Sequence, residues 1–419
     1  MSEVDAISKY KLVGRLGRGG MAEVFLAVTQ GPAGFTKLQV VKMLHGNLLD
    51  NAEIVKMFLH EARLAALLNH PNVVQTNEVG YENGRCFLVM EYLDGQSLNA
   101  ILAGFARKEV AFPLTQHLRV LAEVLAGLHY AHELADLAGT PLGLVHRDVS
   151  PHNIVACYDG AVKLLDFGIA KATASSPETQ TDMMKGKIRY MAPEQVAKEP
   201  LDRRADIFQV GIMFAQAVTG QPYWPKSDDS MTIVGKLYRG DLPNLDELGA
   251  SVDDDLMAIA RRAVAFKRED RYSTAEEFRK DIEAAIARRD AAVTPRLVGE
   301  TVATLFADSR VKIKKHIEET LQGLRATEIS LEEVMGVGSH AVPELASSGS
   351  NPRAITGSFT PMGSHRSGPV SVTSIQGGAM AAPIRSDKSK RSLLIAGGVA
   401  VLAAVAIVAF FVRPGMSRG

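Results

Sequence analysis

Cysteine is nearly absent from this chain of 419 residues, which holds two, Cys86 and Cys157, and a single tryptophan. Two cysteines make no disulfide framework, and neither stands at metal-ligand spacing, which fits a reducing compartment. An excess of charge is missing too. Lys plus Arg and Asp plus Glu number 47 each, so no global field argues for nucleic acid, and no stretch reads as a nucleic-acid module. The opening Met1-Ser2-Glu3-Val4-Asp5 is acidic and has no apolar run, so no cleaved secretion signal is expected there. No repeat of solenoid or propeller period is visible. What the chain does have is apolar bulk. At 46% hydrophobic residues it can bury a sizeable core and holds more than one region.

The most informative segment is Leu144-Val145-His146-Arg147-Asp148-Val149-Ser150-Pro151-His152-Asn153, followed further on by Asp166-Phe167-Gly168. An Asp with an Asn five positions on, then an Asp in a tight Phe-Gly turn, suits phosphoryl transfer. Asp148 can take a hydroxyl proton, while Asn153 and Asp166 hold a divalent cation on a nucleotide's phosphates. Oxygen ligands of this kind suit Mg2+, with Mn2+ as an alternative. Each piece alone is weak, because an Asp-Phe-Gly turn also occurs as an ordinary strand end.

Such a site needs a phosphate cradle, a lysine and a partner for that lysine. The run Leu16-Gly17-Arg18-Gly19-Gly20-Met21-Ala22-Glu23-Val24 lies between two apolar stretches, as a strand–loop–strand cover over phosphates requires. A third apolar strand, Leu38-Gln39-Val40-Val41-Lys42, ends on a lysine. Glu61 sits in Phe58-Leu59-His60-Glu61-Ala62-Arg63-Leu64, whose spacing reads as a helix. From there Glu61 can pair with Lys42 and hold its ammonium near the α- and β-phosphates of ATP.

With these parts in order, residues 10–285 resemble the eukaryotic-type (Hanks-type) protein kinase superfamily, and most closely its bacterial serine/threonine branch. The resemblance implies an α+β, bilobal fold with a small β-rich N-lobe and a large helical C-lobe. It extends to Leu88-Val89-Met90-Glu91-Tyr92-Leu93-Asp94-Gly95, similar to the hinge whose backbone binds adenine, with Met90 at the back of the pocket. Ala192-Pro193-Glu194 looks like the end of an activation segment, Arg271 like the ion-pair partner of Glu194, and Asp206 and Gly211 like a buried anchoring helix. Arg147 would offer a basic partner to a phosphorylated activation segment, for which Thr173, Ser175, Ser176, Thr179 and Thr181 are candidates.

Three positions depart from the family pattern. Ala22 replaces a loop glycine. Ser150 stands where serine/threonine kinases usually carry a lysine, and Lys187 where they usually carry a threonine. Two readings of the last pair stay open: Lys187 reaches the reacting centre from the opposite side, or it points into solvent. The function implied is a serine/threonine protein kinase using Mg-ATP on protein substrates, itself included. A catalytically silent membrane scaffold of the same fold is the alternative, and a small-molecule phosphotransferase is disfavoured by Ala192-Pro193-Glu194.

Beyond the kinase region, residues 273–292 read as a last helix capped by Ser273 and Thr274, and 294–336 as a further charged helical stretch with Val298, Val302, Leu305, Phe306, Ile317, Leu321 and Leu324. Within this helical extension, residues 286–345, the stretch 294–336 packs on the large lobe or stays loosely solvated, with a docking or autoinhibitory role as the other alternative. In residues 346–392, Ser, Thr, Gly and Pro make up 24 of 47, a composition that cannot order itself and would span ~35–40 Å as a flexible coil. Residues 393–412 carry no charge and at roughly 30 Å match a bilayer core as a transmembrane helix. Arg385, Lys388, Lys390 and Arg391 flank it on one side against Arg413 and Arg418 on the other. The kinase is therefore expected on the cytoplasmic side of a cell membrane, held by a single span, with residues 413–419 as a short outer tail. Ala396, Ala400 and Ala404 form a small-residue stripe that leaves homodimerisation open.

Overall fold

The computed structural model describes residues 6–19, 21–31, 35–167, 186–249 and 252–334, with side chains as far as residue 322. Residues as far as Leu324 fall in one compact unit, and 325–396 in a second, of which the helical residues to Val334 are described. The activation-segment candidates, the 346–392 linker and the 393–412 span lie outside the described residues. Among the described residues no helix is long and apolar enough to cross a membrane.

Six antiparallel strands form the first sheet: β1 (Ala6–Ile7), β2 (Tyr10–Arg18), β3 (Ala22–Gln30), β4 (Thr36–Leu44), β5 (Thr76–Glu82) and β6 (Arg85–Glu91), in the order β1-β2-β3-β4-β6-β5. Strand alternation sorts their side chains. Val40, Leu44, Leu88 and Met90 enter one core, while Val41, Met43, Phe87 and Val89 enter a second on the other face. Lys42 shares the parity of Val40 and Leu44, so it projects toward α1 (Ala52–Leu67), which packs on β5 and β6. That helix begins at Asn51, whose side chain accepts from the Glu53 and Ile54 amides. It turns Phe58 and Ala62 into the core, and Glu61 comes with them.

A small sheet, β7 (Gly95–Ser97), β8 (Ile154–Cys157) and β9 (Val162–Leu164), follows the hinge and carries the catalytic segment between its strands. The helical lobe comprises α2 (Leu98–Arg107), α3 (Leu114–His132), α4 (Pro193–Val196), α5 (Arg204–Thr219), α6 (Ser230–Arg239), α7 (Leu245–Leu248), α8 (Asp254–Ala263) and α9 (Ala275–Arg289). Eleven consecutive residues of α5, Ala205 to Ala215, are buried. A helix enclosed all round, apolar but for Asp206 and Gln209, runs through the core of the lobe.

The stretch after residue 294 is two helices, α10 (Pro295–Leu305) and α11 (Ala307–Val334). Thr294 caps α10 by accepting from the Leu297 amide, and Val298 and Val302 are fully enclosed against α3, α2 and β8. α10 packs on the large lobe. Two glycines let it approach. A β-carbon at Gly299 would lie 2.5 Å from the Gly160 amide nitrogen, and one at Gly160, whose φ is +99°, would lie 2.5 Å from the Pro295 carbonyl oxygen.

Candidate active site

Asp206, in the first turn of α5, builds the centre of the site without touching a reacting atom. Its carboxylate accepts from the backbone amides of His146 at 2.8 Å and Arg147 at 2.7 Å and faces His132 Nε2 at 2.8 Å. Gln209, one turn on, takes the Val149 amide at 2.8 Å. These contacts hold Arg147 in a left-handed backbone conformation, φ 68°, which costs a non-glycine residue on the order of 1 kcal/mol or more. Asp166 is similarly left-handed at φ 45°. His146 Nε2 sits 2.7 Å from the Leu165 carbonyl, and its ring packs on Phe167. The two catalytic segments are thus tied to one another.

Asp148 and Asn153 share that frame. Both amide hydrogens of Asn153 bond Asp148, at 2.8 Å to its carbonyl and 2.7 Å to Oδ2. The Asn153 side-chain oxygen is then the atom turned to other work. Leu165 N donates to the Asn153 carbonyl at 2.8 Å, which sets Asp166 beside Asn153. An amide oxygen and a carboxylate are hard donors that fit Mg2+, a cation that leaves much of its shell to water and phosphate. Among the described residues no group of three or more His, Cys, Asp or Glu is placed to hold a metal ion.

Lys42 is buried and bridges two carboxylates, Asp166 Oδ1 at 2.9 Å and Glu61 Oε1 at 3.6 Å. Burial alone would lower its pKa, but the two carboxylates outweigh that and raise it above the ordinary lysine value. The ammonium stays charged where phosphates would lie. The sequence pairing of Lys42 with Glu61 holds, and Asp166 is the nearer partner.

Lys187 Nζ lies 2.5 Å from Asp148 Oδ2, both side chains being buried. Ser150 is buried as well, and its hydroxyl has no hydrogen-bond partner among the described residues. Lys187 therefore points at the reacting centre, and the solvent-facing reading is excluded. Its backbone is fixed from behind. Arg189 donates to the carbonyls of Trp224 at 3.2 Å and Asp228 at 2.8 Å, while Trp224 Nε1 donates to the Arg189 carbonyl at 3.0 Å. Further along, Arg271 holds Glu194 through two bonds of 2.7 and 3.0 Å in a site closed to solvent, and Gln195 reaches the Arg147 carbonyl at 2.8 Å.

Between the lobes opens an apolar cleft of about 720 Å³, counting the space at its mouth. Leu16, Leu26 and Val40 line it from the sheet, Val74 from the segment before β5, Met90 and Glu91 from the hinge, and Leu165 and Asp166 from below. Met90 also borders a smaller pocket behind it. The glycine-rich run is less of a loop than its composition implies. Gly17 pairs with Val24 and Arg18 with Glu23 in the ladder. Arg18 points outward toward Glu23, Met21 and Val24 pack in the core, and Ala22 is buried with its carbonyl accepting from Gly19 N. Gly20 and Gly168 lie outside the described residues.

The part α11 plays at the cleft went unread in the sequence: Ile313 lines the cleft, and Arg310 of the same helix bonds Asp94 at the end of the hinge. The signal was present: Ile313 extends the series Ile317, Leu321, Leu324 by one helical step toward the N-terminus.

This bilobal fold with Lys42, Asp148, Asn153 and Asp166 converging beside an apolar cleft defines the protein kinase class. Residues 10–281 match the family model described as the protein kinase domain, and the chain belongs to that family. It stands with the bacterial members. It is 42% identical over 318 residues to the tyrosine-protein kinase MasK of Myxococcus xanthus, covering 76% of this chain and 49% of that one. It is 33% identical over 281 residues to the serine/threonine-protein kinase PknB of Mycobacterium leprae, covering 65% and 42%. Among solved structures, the kinase domain of PknI from Mycobacterium tuberculosis is similar at 27% identity and a TM-score of 0.50, covering 70% of this chain and 100% of that one. The chain spans about half or less of the length of these curated relatives. The match to MasK is long enough that, wherever it begins, it runs beyond residue 313.

Proposed function

We propose that this chain is a protein kinase that phosphorylates serine and threonine of protein substrates and of itself, working at the inner face of a bacterial membrane. The observation that carries the reading is the set of five: Lys42 bridged to Glu61 and Asp166, and Asn153 bonded to Asp148. A silent scaffold of this fold has no need to keep all five. Bound Mg-ATP supplies the phosphoryl donor and the cation that neutralises its phosphates. The chain supplies position. Asp148 orients the substrate hydroxyl and accepts its proton, Asn153 and Asp166 hold the cation, and Lys42 holds the phosphates. Lys187 places a positive charge at the oxygen of Asp148 that faces it, close to where negative charge moves in transfer.

A second reading concerns the acceptor. The similar protein from Myxococcus xanthus bears the name of a tyrosine kinase, and Ser150 and Lys187 depart from the usual serine/threonine pattern. Phosphoamino-acid analysis of the chain after incubation with labelled Mg-ATP separates the two. Label on serine and threonine is the expected result, and label confined to tyrosine overturns it. Asp148→Asn and Lys42→Met should each abolish incorporation with the fold intact. Unchanged labelling in Asp148→Asn would remove the assigned mechanism.

The membrane part rests on sequence: the uncharged residues 393–412 and the basic cluster before them. Ending the chain after Ser392 should move the kinase from the membrane fraction to the soluble one with activity retained. A full chain that fractionates as soluble removes the tether.

A further inference from the structure

α11 begins from a fixed point. α10 before it is locked to the helical lobe by the contact of Gly299 with Gly160, and Phe306 between the helices packs on the same core. One turn into α11, Arg310 donates to Asp94 Oδ2 from Nη2 at 2.7 Å and from Nε at 3.2 Å. Its guanidinium also lies over the Tyr158 ring, 4.3 Å from the centroid. Tyr158 in turn bonds the Asp94 carbonyl through its amide at 2.9 Å. The end of the hinge, the end of β8 and α11 are clamped together by one arginine.

Three residues on and on the same side of the helix, Ile313 lines the cleft that also holds Leu16 and Met90. Val311, between them in sequence, faces water at 67% exposure.

We propose that α11, which lies past the end of the family match, completes the nucleotide site: Ile313 is a wall of the pocket and Arg310 is the positioning residue that keeps it there. The inference rests on the kinase reading of the cleft. A nucleotide base seated beside Met90 buries apolar area against Ile313 and gains affinity from it. The helix thus sets how tightly nucleotide is held and leaves the transfer step to the residues around Asp148.

Equilibrium binding of Mg-ADP by titration calorimetry on the full chain tests this. Wild type should bind. Ile313→Ser and Arg310→Ala should each weaken binding about three- to tenfold, as removal of one or two methylene equivalents of contact does. Val311→Ala should bind as wild type. In phosphorylation assays the same two variants should raise the KM for ATP by a similar factor and leave kcat within about twofold. Thermal melts of the nucleotide-free proteins show whether each variant is folded. Equal affinity in folded Ile313→Ser overturns the proposal. Tighter binding there also overturns it, because the helix would then be a plug. A wild-type chain that binds no Mg-ADP instead removes the kinase reading on which the proposal stands.

Discussion

Exchanging Ser150 and Lys187 tests whether one positive charge at Asp148 can be delivered from either side. Lys187 Nζ is 2.5 Å from Asp148 Oδ2 in a buried setting. At an effective dielectric constant near 20 the attraction has a ceiling of about 7 kcal/mol, and the cost of removing two ions from water takes back much of it. Loss of one preorganised donor at a reacting centre costs on the order of 10²–10³-fold in rate. The lower end applies here, because Asn153 Nδ2 remains on the same oxygen at 2.7 Å. Lys187→Thr should therefore reduce kcat about 10²-fold. Ser150→Lys alone should not help, since Ser150 is enclosed and a second ammonium would be crowded in beside the first. The double variant frees that space and restores one ammonium and one hydroxyl to the centre. It should recover most of the loss, giving a strongly non-additive cycle. The assay is the initial rate on a peptide taken from an autophosphorylated segment, with circular dichroism to confirm folding. A double variant whose defect is the sum of the two single defects would show that the residues do not share a site.

Three further outcomes follow from packing and charge. Burial pushes the His117 pKa down to about 4 from 6.5, so the unfolded chain takes up the proton first. That stability is complete above pH 6.5 and is lost as pH falls toward 4, the loss reaching about 2 kcal/mol by pH 5. Urea unfolding of His117→Phe at pH 7 and pH 5 should show a correspondingly smaller acid loss, and an unchanged loss would refute the assignment. Arg271→Ala leaves Glu194 charged in a closed site and should cost about 3–5 kcal/mol in denaturant unfolding, whereas a cost below 1 kcal/mol would mean the pair is solvated. Gly299→Ala drives a methyl into backbone at 2.5 Å and should cost about 1–3 kcal/mol. Gly235→Ala meets only the movable Arg239 side chain at 3.2 Å and serves as its near-neutral control.

Much of the site was legible in the sequence because kinase chemistry concentrates in short runs. Asp148 and Asn153 lie on one turn of chain, and the Asp166 carboxylate meets them through a single backbone bond from Leu165 to Asn153. Strand parity at Val40, Lys42 and Leu44 is likewise local, and it settles which way the lysine points. The glycine-rich run was read as a loop because its composition permits one. Cross-strand pairing of Gly17 with Val24 and Arg18 with Glu23 instead extends the ladder, since a flanking strand can order residues that have no strand preference of their own.

What composition could not show are contacts joining distant segments. Arg310 meets Asp94 across 216 positions, and nothing near either residue announces the other. On a charged helix an arginine is ordinarily a solvated residue, and one isoleucine among lysines is ordinarily a weak amphipathic mark. Their meaning depends on where α10 delivers the chain, and that is decided by two glycines small enough for backbones to touch at 160 and 299. Lys187 is the intermediate case. Its departure from the family pattern was visible, but its direction depended on Arg189 being held by the carbonyls of Trp224 and Asp228. A substitution at a catalytic position is therefore best read together with the contacts that aim it. Here those contacts aim an ammonium at Asp148, which makes an altered means of charge delivery a better account of the Ser150 and Lys187 pair than a loss of function.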